Sequence, residues 1–177
     1  MVNKVGRDIP EEILEMTGKE VFQGNYYKDN TEFQKRGPIT KVVMNHDTSK
    51  MVSSIHEALV KCGAHDGMTL GFHHHFREGD LVVNMVMQEV KNMGIKDVTI
   101  CASSLGKAHD ALVPLIEDGT ITNIQSSGVR GKIGEAISTG KLKGLATMRS
   151  HGGRVRAIQT GETTIDISFI GAPTCDD

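Results

Sequence analysis

The sequence predicts an α/β protein, an open and mostly parallel sheet with helices on both faces. Two observations carry this. Short apolar stretches alternate with segments of helical period along most of the chain. Several of the short stretches, such as Asp97-Val-Thr-Ile-Cys101, have the apolar character of strands buried on both sides. Right-handed crossovers between such strands wind them into an open sheet.

The N-terminus opens on a short helix. Asp8 is placed to cap it, Pro10 fits the first turn, Glu11 and Glu12 suit the positive end of the dipole, and Gly18 stops it. Residues 19–38 are polar and irregular, yet they hold Phe22, Tyr26, Tyr27 and Phe33, four of the seven aromatic residues. Such an arm is expected to pack on another surface. Residues 1–38 therefore read as an N-terminal helix and aromatic arm, and residues 39–177 as the α/β domain.

Within that domain, Thr40 to Met44 reads as a strand. Ser49 to Cys62 reads as a helix with Val52, Ile55, Leu59 and Cys62 on one stripe. Thr69 to Phe72 is a strand. Asp80 to Met93 is a helix lined by Val82, Met85, Val86, Val90 and Met93. Its further apolar residues Leu81, Val83 and Met87 predict deep burial. Asp97 to Cys101 is a strand, and His109 to Glu117 a helix bent or begun at Pro114. Thr120 to Gln125, Gly144 to Met148 and Ile165 to Ile170 are strands. Gly131 to Thr139 and Val155 to Gln159 are helices. The tail from Gly171 to Asp177 reads as a loop, which suits either a fragment of a longer polypeptide or an edge strand with a short tail.

Composition excludes several classes. A net charge of −2 argues against a broad nucleic-acid footprint. No apolar run reaches membrane length, and the acidic start lacks a signal core, so a cytoplasmic protein is expected. Cys62, Cys101 and Cys175 form no CxxC pair, which excludes a thiolate zinc framework. The nine methionines read as core filling.

In a parallel sheet, ligands bind beyond the carboxyl ends of the strands. Five segments fall there: 45–49, 72–80, 102–109, 126–132 and 149–154. They hold His46, the triplet His73-His74-His75, His109 and His151, with Ser, Gly, Arg and Lys that suit phosphate or carboxylate recognition. Adjacent histidines diverge in direction, so the triplet predicts no metal site. It reads as a polar loop or as a loop contacting an anionic ligand, where Gly71 and Gly79 permit close backbone approach and Asp80 caps the next helix. Ser126 to Lys132 fails both the Walker and the GxGxxG spacing, which leaves generic anion binding or a glycine turn. Ser150-His151 are neighbours without an acid partner, which excludes a hydrolase triad; Arg149, Arg154 and Arg156 read as anion contacts or solvated charges.

The motifs GFHHHFREGD (71–80), ASSLGKAHDALVPLI (102–116), IQSSGVRGKIGEAIS (124–138) and MRSHGGRVRAI (148–158) resemble the citrate lyase alpha subunit family. So do VGRDIPEE at the start and FIGAPTCDD at the end, so the resemblance covers essentially the whole chain. It implies a CoA-transferase-like fold, related to that of ribose-phosphate isomerases and sugar-phosphate-responsive regulators. It implies citrate CoA-transferase activity, in which an acetyl-thioester on an acyl carrier subunit is exchanged with citrate to give citryl-thioester and acetate. The thioester sits on a CoA-like phosphopantetheine group of the gamma subunit, and the lyase beta subunit cleaves the product. No metal, nucleic-acid or membrane partner is implied. Gly71, His73, His74, His75, Arg77, Ser103 and Ser104 are then expected to line the thioester pocket. Ser127, Gly128, Arg130, Arg149 and His151 are expected to contribute to substrate binding. Members of the family are much longer, with two α/β domains and the active site between them. The resemblance thus makes this chain the first domain, inactive or nearly so alone, and places the catalytic glutamate of related transferases in a second half.

Two other readings remain. One is a non-catalytic module that senses a sugar phosphate or an organic acid. The other is a phosphosugar isomerase, for which Asp47, Glu78, Asp80 and Asp110 are the candidate bases.

Overall fold

A computed structural model describes residues 1–21, 50–73 and 80–171. The chain divides into two compact units, residues 1–49 and 50–177. In the first, α1 (Glu11–Thr17) ends at Gly18, whose left-handed conformation (φ 62°) lets its amide bond back to the Leu14 carbonyl at 2.8 Å. Pro10 directly precedes the helix. Asp8 does not cap it; its carboxylate holds the Met1 ammonium at 3.0 Å. The aromatic arm from Phe22 onward and the strand expected over Thr40 to Met44 lie outside the described residues.

The second unit contains α2 (Ile55–Lys61), β1 (Thr69–Phe72), α3 (Val82–Asn92), β2 (Val98–Ala102) and a 3-10 helix (Lys107–Leu112). After these come α4 (Val113–Glu117), β3 (Ile121–Ser126), α5 (Gly131–Ser138), β4 (Ala146–Met148), α6 (His151–Gln159) and β5 (Ile167–Phe169). The five described strands form one parallel sheet in the order β4-β3-β2-β1-β5. The chain steps outward from β1 to β4 and then returns to the other side of β1. The topological switch point therefore lies between β1 and β5.

The apolar core fills one face. Leu70 and Phe72 of β1, with Val98, Ile100 and Ala102 of β2, meet helices that supply Val86, Val90, Leu112, Leu115, Ile116 and Ile133, all buried. Each such aliphatic side chain contributes about 1.5–3 kcal/mol by leaving water. Local chemistry sets the helix limits. Ser54 accepts the Glu57 amide at 3.1 Å, while Glu57 reaches back to the Ser53 amide at 2.8 Å, so α2 starts at Ile55. Val52, expected on its inner stripe, is consequently outside the helix and exposed, and Cys62, at the far end, is its exposed C-cap. In α3 the buried stripe is Val83, Val86, Met87 and Val90. Met85, expected inside, is 56% exposed, and Leu81 57%. Pro114 falls in the first turn of α4, where its missing N–H costs nothing, and the 3-10 helix hands over to α4 just before it.

The other face of the sheet is different in kind. Register aligns Ser168, Gly71, Cys101, Gln125 and Thr147 in one row across all five strands. This row faces away from the core, and α6 lies against it, joined through Arg154 to Cys101. A bulge makes the alignment work. Val98 pairs with Ile121 and Thr99 with Asn123, which leaves Thr122 as an extra residue in β3. Ile121 and Ile124, three apart, therefore both face the core.

Two surface carboxylates make the fold acid-sensitive. At Asp118, burial raises the carboxyl. Hydrogen bonds from Thr120 and the ammonium groups of Lys91 and Lys96 outweigh burial and bring it down to about 2. At Glu57, the Lys61 ammonium and the amide and hydroxyl of Ser53 pull the carboxyl down to about 2. Both groups bind a proton more weakly when folded. Their contribution is complete above their ordinary values of 4.5 and 3.8 and is lost as pH falls toward 2. Circular dichroism during acid titration is expected to show stability declining across that window. A Glu57→Gln/Asp118→Asn variant should give a flatter acid limb; an unchanged limb would place the sensitivity elsewhere.

Candidate functional site

Four of the five segments expected beyond the strand ends fall within or partly within the described residues, and they do follow β1, β2, β3 and β4. They do not converge equally. A cleft of about 210 Å³ opens at the switch point, with Gly71, His73, Cys101, Ser103, Arg154 and Ser168 among its lining. It sits at the polar row and beneath α6, beside the stacked rings of Phe72 and Phe169, 5.4 Å apart. No Asp or Glu side chain is among its described walls.

Of the residues nominated from sequence, Gly71, His73 and Ser103 meet in this cleft. His73 is exposed, and its amide donates to the Phe169 carbonyl at 3.2 Å, tying the start of the histidine loop to β5. Gly71 has a different role from the one its position suggested. The space that a Cβ would need is taken by Ile165 Cγ2 at 2.8 Å and Ser168 Oγ at 2.9 Å, so the glycine admits the protein's own side chains. His74, His75, Arg77, Glu78 and Gly79 lie outside the described residues.

Ser104, Ser127, Gly128 and Arg130 belong to a second cluster, where the loops after β2 and β3 run side by side. Ser127 N–H donates to the Ser103 carbonyl at 3.2 Å, Leu105 N–H to Gly128 at 3.0 Å, and Arg130 N–H to Leu105 at 2.9 Å. Gly128 N–H donates to Ser126 Oγ at 3.2 Å. These backbone donors are used internally. The N-terminus of α5, which the sequence left as either a generic anion site or a glycine turn, already holds a carboxylate of the chain's own. Asp110 accepts from the amides of Lys132 at 2.7 Å and Ile133 at 3.3 Å. That capping role also removes Asp110 as a free base for isomerase chemistry. Asp80 is buried and accepts the Val82 amide at 3.1 Å, as a helix-starting carboxylate should. His109 is fully buried. Its Nδ1 accepts the Gly106 amide at 3.0 Å, which places the ring proton on Nε2.

Beyond β4, the expected helix at Val155 in fact begins at His151. Ser150 caps it by accepting the Gly153 amide at 3.0 Å, so the Ser-His pair is a helix start and not a nucleophile with its base. His151 is exposed and does not line the cleft. Arg149 is committed to Glu162, at 2.5 Å, and to Gln125 Oε1, at 3.4 Å. Sequence alone missed the contributions of Cys101 and Ser168, and it left Arg154 as either an anion contact or a solvated charge. Residues 166–170 end the strand that closes the cleft, but nothing in the sequence says that this last strand returns beside the first.

A larger concavity of about 700 Å³ lies on the helical side, against Ile55, Met85, Ala111, Leu112 and Leu115. Its charged pair, His56 and Glu89, is closed on itself at 2.8 Å, and the strand ends are elsewhere. We therefore place the candidate site at the switch point. Among the described residues, no group of three His, Cys, Asp or Glu side chains is arranged to hold a metal ion. No described helix is long and apolar enough to cross a membrane.

Comparison with known proteins gives this geometry a family. The family model "Citrate lyase, alpha subunit (CitF)" matches residues 48–177. The citrate lyase alpha chain of Haemophilus influenzae is 41% identical over 161 residues, which are 91% of this chain and 32% of that one. The alpha chain of Escherichia coli K12 is 47% identical over 128 residues, 72% of this chain and 25% of its own length. A Streptococcus mutans protein described as an alpha subunit of citrate lyase, solved in complex with citrate, superposes with a TM-score of 0.70 at 46% identity. That match covers 97% of this chain and 32% of the other. The chain thus spans between a quarter and a third of the length of these relatives. With a parallel sheet, a switch-point cleft and this degree of identity, the chain belongs to the citrate lyase alpha subunit family.

Proposed function

We propose that the chain serves acyl exchange as part of the transferase subunit of citrate lyase, in the cytoplasm. An acetyl-thioester and citrate exchange partners. The acetyl C–S bond and one C–O bond of the reacting citrate carboxylate break, a citryl C–S bond forms, and that oxygen passes to the acetyl carbon, so that acetate leaves. The thioester is presented on the phosphopantetheine arm of an acyl carrier gamma subunit, and the beta subunit consumes the citryl product. The observation that carries this reading is the cleft at the switch point, lined by His73, Ser103 and Arg154 and without an Asp or Glu among its described walls. A substrate with carboxylates enters such a cleft without repulsion, and fixed donors there stabilise the oxyanion that develops when a thioester carbonyl is attacked. At about 210 Å³ the cleft falls below the roughly 300–1,000 Å³ of a typical small-molecule site. The catalytic group is not assigned to any residue of this chain.

The reading is tested with a chimera in which residues 48–177 replace the matching segment of the full-length Escherichia coli alpha chain, assembled with its beta and gamma subunits. Citrate-dependent release of acetate from the acetylated complex is expected, while the 177-residue chain alone is expected to release almost none. A folded chimera with no exchange would overturn the proposal. Preferential calorimetric binding of a sugar phosphate over citrate would favour a sensing module instead.

A further inference from the structure

We propose that Arg154 is the carboxylate-recognising residue of the switch-point cleft and selects a carboxylate ligand there. This rests on reading the cleft as the substrate site. Two arginines, Arg149 and Arg154, flank the start of α6, and the structure treats them differently. Arg149 has a carboxylate partner in Glu162 and an amide partner in Gln125. Arg154 has neither. Its Nη2 points at Cys101 Sγ, 3.6 Å away, and sulfur is a weak acceptor. Its Nε is buried without a hydrogen-bond partner among the described residues.

A guanidinium carries five N–H donors, and a buried donor without an acceptor is costly. The cleft offers it hydroxyls, thiol and ring, but no acidic side chain among its described walls. A ligand carboxylate supplies what is missing, in the paired geometry that guanidinium groups favour. Cys101 acts as a positioning residue. It stands in the polar row between Gly71 and Gln125 and holds one end of the guanidinium, leaving the remaining donors to the ligand. Gly153 and Ser150 make the first turn of α6 rigid through the cap, which fixes the arginine's backbone.

The test is calorimetric titration of the 177-residue protein with citrate, with Arg154→Met, Arg154→Lys and Cys101→Ala compared after thermal melts confirm folding. Arg154→Met is expected to weaken citrate binding about 10- to 100-fold. Arg154→Lys should recover part of the loss, since a lysine keeps the charge but not the fork. Cys101→Ala should weaken binding less than Arg154→Met. Equal affinity in the wild type and in Arg154→Met overturns the role of Arg154. Where the wild-type chain alone binds no citrate, the comparison is made in the full-length chimera: equal citrate affinity with and without Arg154→Met overturns the role, and a chimera that binds no citrate overturns the cleft's reading as a citrate site. Sugar-phosphate binding that is lost in Arg154→Met overturns the carboxylate selectivity alone, because the residue would then serve a phosphate. Should Arg154→Met fail to fold, Arg154→Gln carries the same comparison.

Discussion

Gly71→Ala is expected to lower stability by about 1–3 kcal/mol, the usual cost of forcing a methyl group into filled space. For a chain of this size that is a melting temperature lower by roughly 2–12 °C. A Cβ at this position would stand 2.8 Å from Ile165 Cγ2, 2.9 Å from Ser168 Oγ and 3.2 Å from Ile165 Cδ1. Ser168 is the register partner of Gly71, so relief by sliding the strands apart would cost β1–β5 pairing. The same movement would distort the cleft, and citrate binding should fall with stability. The cause is checked by measuring the penalty again in an Ile165→Ala background. It should shrink there, because the obstructing branch is gone. An equal penalty in both backgrounds would mean that the collision is not the cause.

Gly131→Ala is expected to cost about 1–3 kcal/mol as well, by a different route. Gly131 has φ +71°, in the region that side chains avoid. Its Cβ would also stand 2.5 Å from Asp110 Oδ1 and 3.3 Å from the Lys107 backbone. The substitution therefore strains the turn and dislodges the carboxylate that caps α5. Urea unfolding of Gly131→Ala, Asp110→Ala and the double variant separates the two causes. If displacement of Asp110 dominates, the double variant loses less than the sum of the singles, by more than about 0.5 kcal/mol. Strict additivity would assign the cost to backbone strain alone.

The fold was largely visible in the sequence because its signals are local. Apolar runs marked β1, β2 and β3 to within a residue or two. Gly18 and Gly140 marked helix ends, and Pro114 marked the change from 3-10 to α-helix. Errors arose where one side chain overruled a period. Ser54 started α2 later than its apolar spacing suggested, and Ser150 started α6 earlier. Met85 looked internal because α3 is apolar over more than one face, and periodicity does not say which face has a neighbour. The site was harder still. Gly71, His73 and Ser103 were reachable because they lie at or just beyond the ends of β1 and β2. Ser168 was not, because its importance depends on β5 returning beside β1, and Arg154 could be read only as an anion contact or a solvated charge. Arg149 and Arg154 look equivalent in the sequence; only the position of Glu162 separates them.

The extra residue in β3 also has a meaning for parity. A strand assigns its side chains to two faces by odd and even position, and Thr122 changes the count once. Were Thr122 paired regularly instead of set out as a bulge, Ile124 would turn to the polar side and Gln125 toward the oil of the core. Arg149 and Thr163 would lose the acceptor they share in Gln125 Oε1. One break in the pairing, away from the cleft, thus keeps the greasy and the watery sides of this sheet from exchanging places.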